Sequence, residues 1–292
     1  MSKKQFPTIG LALGSGAAKG FAHIGVLKAL EKNNIPIDYI AGSSIGAILG
    51  AHYAAFKDTN RLEELIFNFN KKRGFQLFDP TLKGGLIKGN KFEKFIEEML
   101  EGATFESLQI PFTAVATNFT TGKSLAFKEG SLAKTIRASS SVPTFFQPIE
   151  YQKQILADGG LSNPVPVDIA KAMGADIVIA VNLDSIHVVD EKEHIPFVTK
   201  IPFHSINILR HNLALQSSKT ADIIISPAGS YQVGLIGWNY FFSNEKAQTI
   251  IRAGEEATEK IIPKLQLLIE KRKKNQNIWG KVTTYFKSFV VQ

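Results

Sequence analysis

The sequence predicts an α/β fold in which the strands form a parallel-type sheet, and three features carry that reading. Short apolar runs alternate with helix-periodic stretches along most of the 292 residues, as they do in repeated strand and helix units. The run from Ile177 to Leu183 is apolar throughout, the composition of a strand covered on both faces. A strand, a glycine-bearing turn and an amphipathic helix also follow one another twice before Lys57.

The first such unit starts with a strand at Thr8 to Leu13, turns through Gly14 to Gly20, and enters a helix with Ala22, Val26, Leu27 and Leu30 at helical spacing. The second approaches through Asp38 to Ala41. It opens at Gly42 to Gly46 into a helix whose Ile45, Ile48, Leu49, Tyr53 and Phe56 share one face. Leu62 to Phe69 and Phe92 to Leu100 pattern as amphipathic helices around a loop with Gly84, Gly85 and Gly89. Pro111 to Ala116 and Ser124 to Phe127 pattern as strands flanking a Thr121-Gly122 turn. A helical stretch from Lys134 to Ser139 is stopped by Pro143, and a strand at Ile155 to Ala157 leads into Asp158-Gly159-Gly160. Val165 to Met173 is helical, and the mixed residues 186 to 204 form a loop before a helix at Ser205 to Ser217. A short strand at Ile223 to Ser226 and a helix from Glu245 to Ile269, with a bend expected at Pro263, close the domain. One domain over 6–268 and a tail over 269–292 follow from this pattern.

Composition narrows the classes of function. Hydrophobic residues at 44% and charged residues at 21% are those of a folded globular chain. The absence of cysteine excludes disulfides, thiolate catalysis and cysteine-ligated metal, and is compatible with a reducing compartment. No stretch reaches the ~18 to 20 apolar residues of a spanning helix, and the run at Ile9 to Leu13 is short for a secretory h-region of ~7 to 15 residues. The net charge of +8 is unevenly placed: 271–292 hold six basic residues and no acid, which leaves +2 for the rest. A broad basic surface for nucleic acid is therefore not expected on the body.

Three glycine-bearing motifs carry the chemistry. Gly42-Ser43-Ser44-Ile45-Gly46 matches GxSxG, whose glycines let a strand turn sharply into a helix and expose the middle serine. Ser44 is the candidate nucleophile, against the plainer reading of Ser43 or Ser44 as a helix cap. Gly14-Ser15-Gly16-Ala17-Ala18-Lys19-Gly20 spaces its glycines as GxGxxxG, off by one from the dinucleotide fingerprint, which disfavours a nicotinamide-dependent oxidoreductase. Its amides can instead face an oxyanion. Asp158-Gly159-Gly160 puts a carboxylate after a strand. An α/β-hydrolase triad in the order Ser, Asp, His would draw its histidine from His187, His194, His204 or His211, whereas His23 and His52 pattern as structural residues on helices. No clustered ligand set and no complete cofactor motif is present, so neither metal nor cofactor is expected.

Taken together, LALGSGAAKGFAHIGVLKALE, GSSIG and LADGGLSNPVPVDIAKAMGAD resemble the patatin-like phospholipases in order and approximate separation. The resemblance runs from about Ile9 to Leu268 and takes in AVATNFTTG, RASSSVPTFFQPI and GEEATEKIIPKL. It implies a three-layer patatin-like fold with a mainly parallel central sheet flanked by helices. It implies Ser44 as nucleophile, Asp158 as base with no histidine, and an oxyanion held by backbone amides among Gly14, Ser15, Gly16 and Ala17. Lys19, Gly20, Gly42, Gly46, Gly159 and Gly160 would support these motifs. Ser15 and Ala17 stand where that family often has glycine, and a positive φ at Ala17 would strain its Cβ. The implied activity is hydrolysis of lipid carboxylic esters, with phospholipid or lysophospholipid as substrate class; a membrane-docked protein that keeps the fold without turnover is the non-enzymatic alternative.

In the tail, Ile278, Trp279, Val282, Tyr285, Phe286, Phe289 and Val290 recur at three- and four-residue spacing behind the basic run Lys271 to Lys274. A basic cluster followed by an aromatic face fits an anionic membrane surface, with Lys273, Lys274, Trp279, Phe286 and Phe289 as contacts. The same face could pack on the domain or on a second subunit, so a homo-oligomer stays open. The expected setting is the cytoplasm, with a peripheral position on the inner face of the membrane.

Overall fold

A computed structural model describes residues 6–69, 71–184, 201–227 and 238–274. The first half runs β1 (Ile9–Leu13), α1 (Ala22–Lys32), β2 (Tyr39–Ser43), α2 (Ile45–Phe56), α3 (Thr59–Phe67), α4 (Lys71–Gln76), β3 (Gly85–Ile87) and α5 (Asn90–Met99). Next come β4 (Phe112–Asn118), β5 (Ser124–Phe127), α6 (Leu132–Ser139), β6 (Thr144–Phe146), β7 (Ile149–Tyr151) and β8 (Gln154–Asp158). The remainder is α7 (Val167–Ala172), β9 (Ile177–Val181), α8 (Ile201–Ser218), β10 (Ile223–Ile225), α9 (Trp238–Phe241), α10 (Asn244–Glu259) and α11 (262–274).

The sheet runs in the order β10-β9-β1-β2-β4-β8-β7, with β5 also on β4. β10, β9, β1, β2 and β4 are parallel, and β5 and β8 are antiparallel to β4. Residue parity sorts the layers. Ile9, Leu11, Leu13, Ile177, Ile179 and Val181 point into a large core shared with α1, α2, α3 and α10. Their neighbours Ala12, Val178 and Ala180 point the other way, into a thin cluster with Val167 and Ala170 of α7 and Ala214 of α8. Small side chains on that second face let α7 and the turn after it approach closely: a Cβ on Gly10 would stand 3.4 Å from that of Ala170 and 2.6 Å from that of Ala175. The outcome is the expected helix, sheet and helix sandwich.

Three differences from the sequence pattern have local causes. α4, the small β3 and β6 pair and β7 are too short to show a period, and β3 and β6 find each other far along the chain. The closing helix breaks at 260–261, ahead of Pro263, so the proline falls in the first turn of α11, where its missing N–H costs nothing. α8 starts at Ile201, and residues 186–200 of the expected loop lie outside the described residues. α11 carries the basic run into the body: Arg272 pairs with Asp222 at 3.0 Å, and the Lys273 ammonium stands 4.2 Å from the Phe6 ring centroid. Lys274 is exposed, while Trp279, Phe286 and Phe289 lie outside the described residues.

One strand edge positions the site. β4 uses Ala114 to Thr117 to pair with β5 on one side. Along its other edge β2 arrives in parallel, ending with Ser43 opposite Val115, and β8 arrives antiparallel, ending with Asp158 opposite Ala116. Two strand ends thus meet head-on at adjacent residues of β4, which brings Ser44, just past β2, to Asp158, 114 residues on in sequence.

Candidate active site

Ser44 occupies the corner between β2 and α2, with φ 56° and ψ −124°. A residue bearing Cβ is costly in that region, by about 1 to 3 kcal/mol, and holds it only where the surroundings allow no alternative. Close packing supplies that constraint. A Cβ on Gly46 would come within 2.2 Å of the Leu13 carbonyl oxygen, and one on Gly42 within 2.5 Å of the Gly46 oxygen. Gly20 is pressed against Ile45 in the same way, at 2.2 Å. The two glycines of GxSxG therefore serve the approach of α2 to the end of β1, which aims the Ser44 hydroxyl off the sheet. Ser43 points elsewhere: its hydroxyl is buried and makes no hydrogen bond among the described residues.

The Ser44 hydroxyl donates to Asp158 Oδ2 at 2.6 Å, both residues being buried. The other carboxylate oxygen accepts from the Gly160 amide at 2.8 Å. Burial pushes the Asp158 carboxyl up from 3.8 to about 6, against the opposing pull of the Ser44 hydroxyl, Arg210 and the Gly160 amide. Gly159 and Gly160 make the corner possible. A Cβ on the first would meet the Val115 oxygen at 2.2 Å, and one on the second the Ser15 hydroxyl at 2.8 Å.

The last turn of α6 and the residues after it brace both Ser44 and Asp158, a role the sequence pattern did not single out. Ser139 Oγ accepts the Ser44 amide at 2.9 Å, and the Ser141 carbonyl accepts the Asp158 amide at 3.0 Å. Arg137, 2% exposed, anchors the segment: its guanidinium donates to the carbonyls of Lys88, Gly89 and Gln147 and to the Ser141 hydroxyl. A buried arginine whose three side-chain nitrogens all find acceptors is structural glue rather than a ligand site. Its only trace in the sequence is an arginine inside a run of small, helix-patterned residues.

The glycine-rich loop divides into two parts, which corrects the expected donor set. The Gly14 amide donates to the Val181 carbonyl at 3.1 Å and the Ser15 amide to the Pro164 carbonyl at 2.8 Å, so these two hold the loop on the sheet. Among the described residues the amides of Gly16 and Ala17 donate to no main-chain carbonyl. Ala17 has φ 50° and lines the same cavity as Ser44, so the positive φ does fall on a residue with a Cβ. Behind the loop, Asp184 accepts from Arg210 at 2.5 Å and pairs with Lys19 at 3.6 Å, and the Ser15 hydroxyl lies 3.5 Å from it. Lys19 is thereby turned inward as a loop tie, and its ammonium is held below the usual lysine range by burial. Asp184 and Arg210 escaped the sequence pattern because only a carboxylate after a long apolar strand pointed to them.

No described histidine reaches Asp158. His23 contacts the Gly14 carbonyl at 2.7 Å and His52 packs edge-on to Phe56, both pushed down to about 4 by burial. His211 Nδ1 contacts the Asp184 carbonyl at 2.5 Å. His187 and His194 lie outside the described residues, as does the side chain of His204.

A cavity of about 720 Å³ opens over Ser44 and is almost wholly apolar. Eight of the chain's 21 phenylalanines line it, with Ile45, Ile48 and Val142 beside the serine and Phe75, Phe78 and Leu86 toward the mouth. Inside, Phe92 packs against Phe146 at 5.2 Å and Phe69 stacks on Phe242 at 6.1 Å. Such a volume holds a drug-sized or acyl-chain-sized apolar group.

The structure is thus an α/β fold whose mixed sheet brings an elbow serine and a buried aspartate to one corner under an apolar cavity. Residues 11–171 match the pattern of the patatin-like phospholipases, and the chain belongs to that family. An uncharacterised NTE family protein of Mycobacterium tuberculosis is 37% identical over 197 residues, which is 66% of this chain and 54% of that protein. Patatin-like phospholipase domain-containing protein 6 of Homo sapiens is 35% identical over 185 residues, 61% of this chain and 13% of its own. The chain thus spans about half the length of its mycobacterial relatives. VipD from Legionella pneumophila has the same fold, with a TM-score of 0.58 at 12% identity over 90% of this chain and 68% of its own.

Proposed function

We propose that the chain is a serine acyl hydrolase that cleaves carboxylic esters of lipids, phospholipid or lysophospholipid, through Ser44 and Asp158. The observation that carries this reading is the 2.6 Å bond from the Ser44 hydroxyl to Asp158 Oδ2 at the base of an apolar cavity. Asp158 Oδ2 takes the proton as Ser44 Oγ attacks the ester carbonyl carbon, and the carbonyl electrons move onto oxygen. The amides of Gly16 and Ala17 are the donors for that oxyanion, an interaction worth about 3 to 4 kcal/mol per donor in other hydrolases. The tetrahedral species collapses to an acyl-serine as Asp158 returns the proton to the leaving alcohol oxygen. Water then enters, gives its proton to Asp158 and attacks the acyl carbon, releasing the fatty acid and restoring the hydroxyl. A carboxylate is ordinarily a weak base for this task, and burial of Asp158 raises its basicity toward the working range. For the tail, 269–292, the proposed role is contact with an anionic membrane through its basic run and aromatic face.

The test is labelling of the full chain with a fluorophosphonate and location of the adduct by mass spectrometry. An adduct on Ser44, absent from Ser44→Ala, is expected; an adduct on Ser43 or on Ser139, Ser140 or Ser141 would overturn the assignment.

A further inference from the structure

The mouth of the cavity is built from a stretch of the body where basic and exposed apolar side chains coincide. Residues 71–91 contain Lys71, Lys72, Arg73, Lys83, Lys88 and Lys91 against one acid, Asp79. That acid is turned inward: its carboxylate accepts from the amides of Gly89, Asn90 and Lys91 and so caps α5. The same stretch presents Leu82 and Phe75, 94% and 80% exposed, the two most exposed large apolar side chains among the described residues. Phe78 and Leu86, about half exposed, stand beside them and face both solvent and the cavity. Leu82 and Lys83 form the tip of a turn closed where Pro80 bridges Ile87.

Contiguous exposed apolar groups rimmed by charge mark a contact surface, and the sign of the rim selects the partner. We propose that residues 72–86, around the cavity mouth, dock on an anionic lipid bilayer, with Leu82 and Phe75 entering the acyl region and Lys72 and Lys83 meeting the headgroups. Charge complementarity favours this occupant over a second copy of the chain, which would bring the same basic residues face to face. The placement rests on the lipid-hydrolase reading for its purpose: an acyl chain passes from bilayer to Ser44 through Phe75, Phe78 and Leu86 without crossing water. It is a different segment of the chain from the tail, and each can fail alone.

The test exploits the absence of cysteine. Leu82→Cys and, at the opposite end of the strands, Pro36→Cys are each labelled with an environment-sensitive fluorophore in the full-length chain carrying Ser44→Ala. They are then mixed with phosphatidylcholine vesicles with or without phosphatidylglycerol. A blue shift at position 82 only, and only with phosphatidylglycerol, is expected. In the Ser44 protein, Lys72→Glu with Lys83→Glu should lower vesicle affinity at least about 25-fold, at about fivefold per lysine. Vesicle-lipid turnover should fall with it, and hydrolysis of a soluble short-chain ester should be unchanged, since neither lysine lines the cavity. Vesicle binding with no shift at 82, an equal shift on neutral vesicles, or a shift that appears without vesicles as protein concentration rises would each overturn the proposal. If the Ser44→Ala protein still hydrolyses ester, the hydrolase reading fails while the binding result stands.

Discussion

At the scale of the residue, Asp158 is held where its charge is expensive and its basicity useful. Its pKa is raised from 3.8 to about 6, so the folded state binds the proton more tightly than the unfolded chain. The stability that this neutral acid contributes is complete below about pH 4 and is lost as pH rises through about 6. In the proposed mechanism catalysis runs the other way, because only the carboxylate accepts the serine proton. Thus kcat/KM for a soluble ester should fall about tenfold per pH unit below pH 6 and level off above it. Asp158→Asn should remove turnover and, at pH 8, raise stability by an amount of order 2 kcal/mol, visible as a higher Tm. A lower Tm with activity retained would contradict both parts. Ala17 makes the complementary case of strain at a donor. With φ 50°, Ala17→Gly should stabilise by up to about 1 kcal/mol in chemical denaturation, since the left-handed backbone favours glycine.

At the scale of the element, glycines decide which helix can touch which strand. Gly46 lets α2 sit on the end of β1; Gly46→Ala drives a Cβ to 2.2 Å from a main-chain oxygen and must move Ser44. Loss of activity of at least 100-fold is expected, because reacting geometry tolerates about 1 Å. Gly25 of α1 and Gly254 of α10 form an equally close crossing away from the site, with a Cβ on Gly25 only 1.9 Å from the Ile251 oxygen. Gly25→Ala should therefore destabilise by about 1 to 3 kcal/mol or more while the folded fraction keeps its kcat. Denaturant melts and active-site titration of the two variants separate these outcomes. The turn at Ser44 was legible because glycines and helical spacing are local signals. α4, β3, β6 and β7 were not: elements of three to six residues are too short to show a period, and β3 and β6 are set by each other across a separation that only folding closes.

At the scale of the whole molecule, the residues proposed for the chemistry and those proposed for the tail's contact with a membrane lie on separable parts of the chain. Arg272 and Lys273 are bound into the body by Asp222 and Phe6, so a deletion that spares the fold must start after Lys274. Removal of 275–292 should leave hydrolysis of a soluble ester intact and reduce sedimentation with anionic vesicles. Added salt should weaken the binding of the intact chain, because exposed charges are screened over about 10 Å at 0.1 M. A residue that resists salt is expected from Trp279, Phe286 and Phe289, whose transfer from water is not electrostatic.

The sequence alone determined the α/β class, the elbow at Ser44 and the carboxylate at Asp158, because each is written in a few contiguous residues: a strand run, a glycine pair, a helical period. Folding decided what those residues touch. Folding set β8 antiparallel to β4 and so placed Asp158 beside Ser44; it committed the Gly14 amide to Val181 and the Ser15 amide to Pro164 and left those of Gly16 and Ala17 without a main-chain acceptor among the described residues. It also gathered phenylalanines from Phe69 to Phe242 into one cavity and buried Arg137 and Asp184 behind the site. Those outcomes depend on register and packing between segments about a hundred residues apart, where no local pattern specifies which edge a strand will take or which amide its neighbour will occupy.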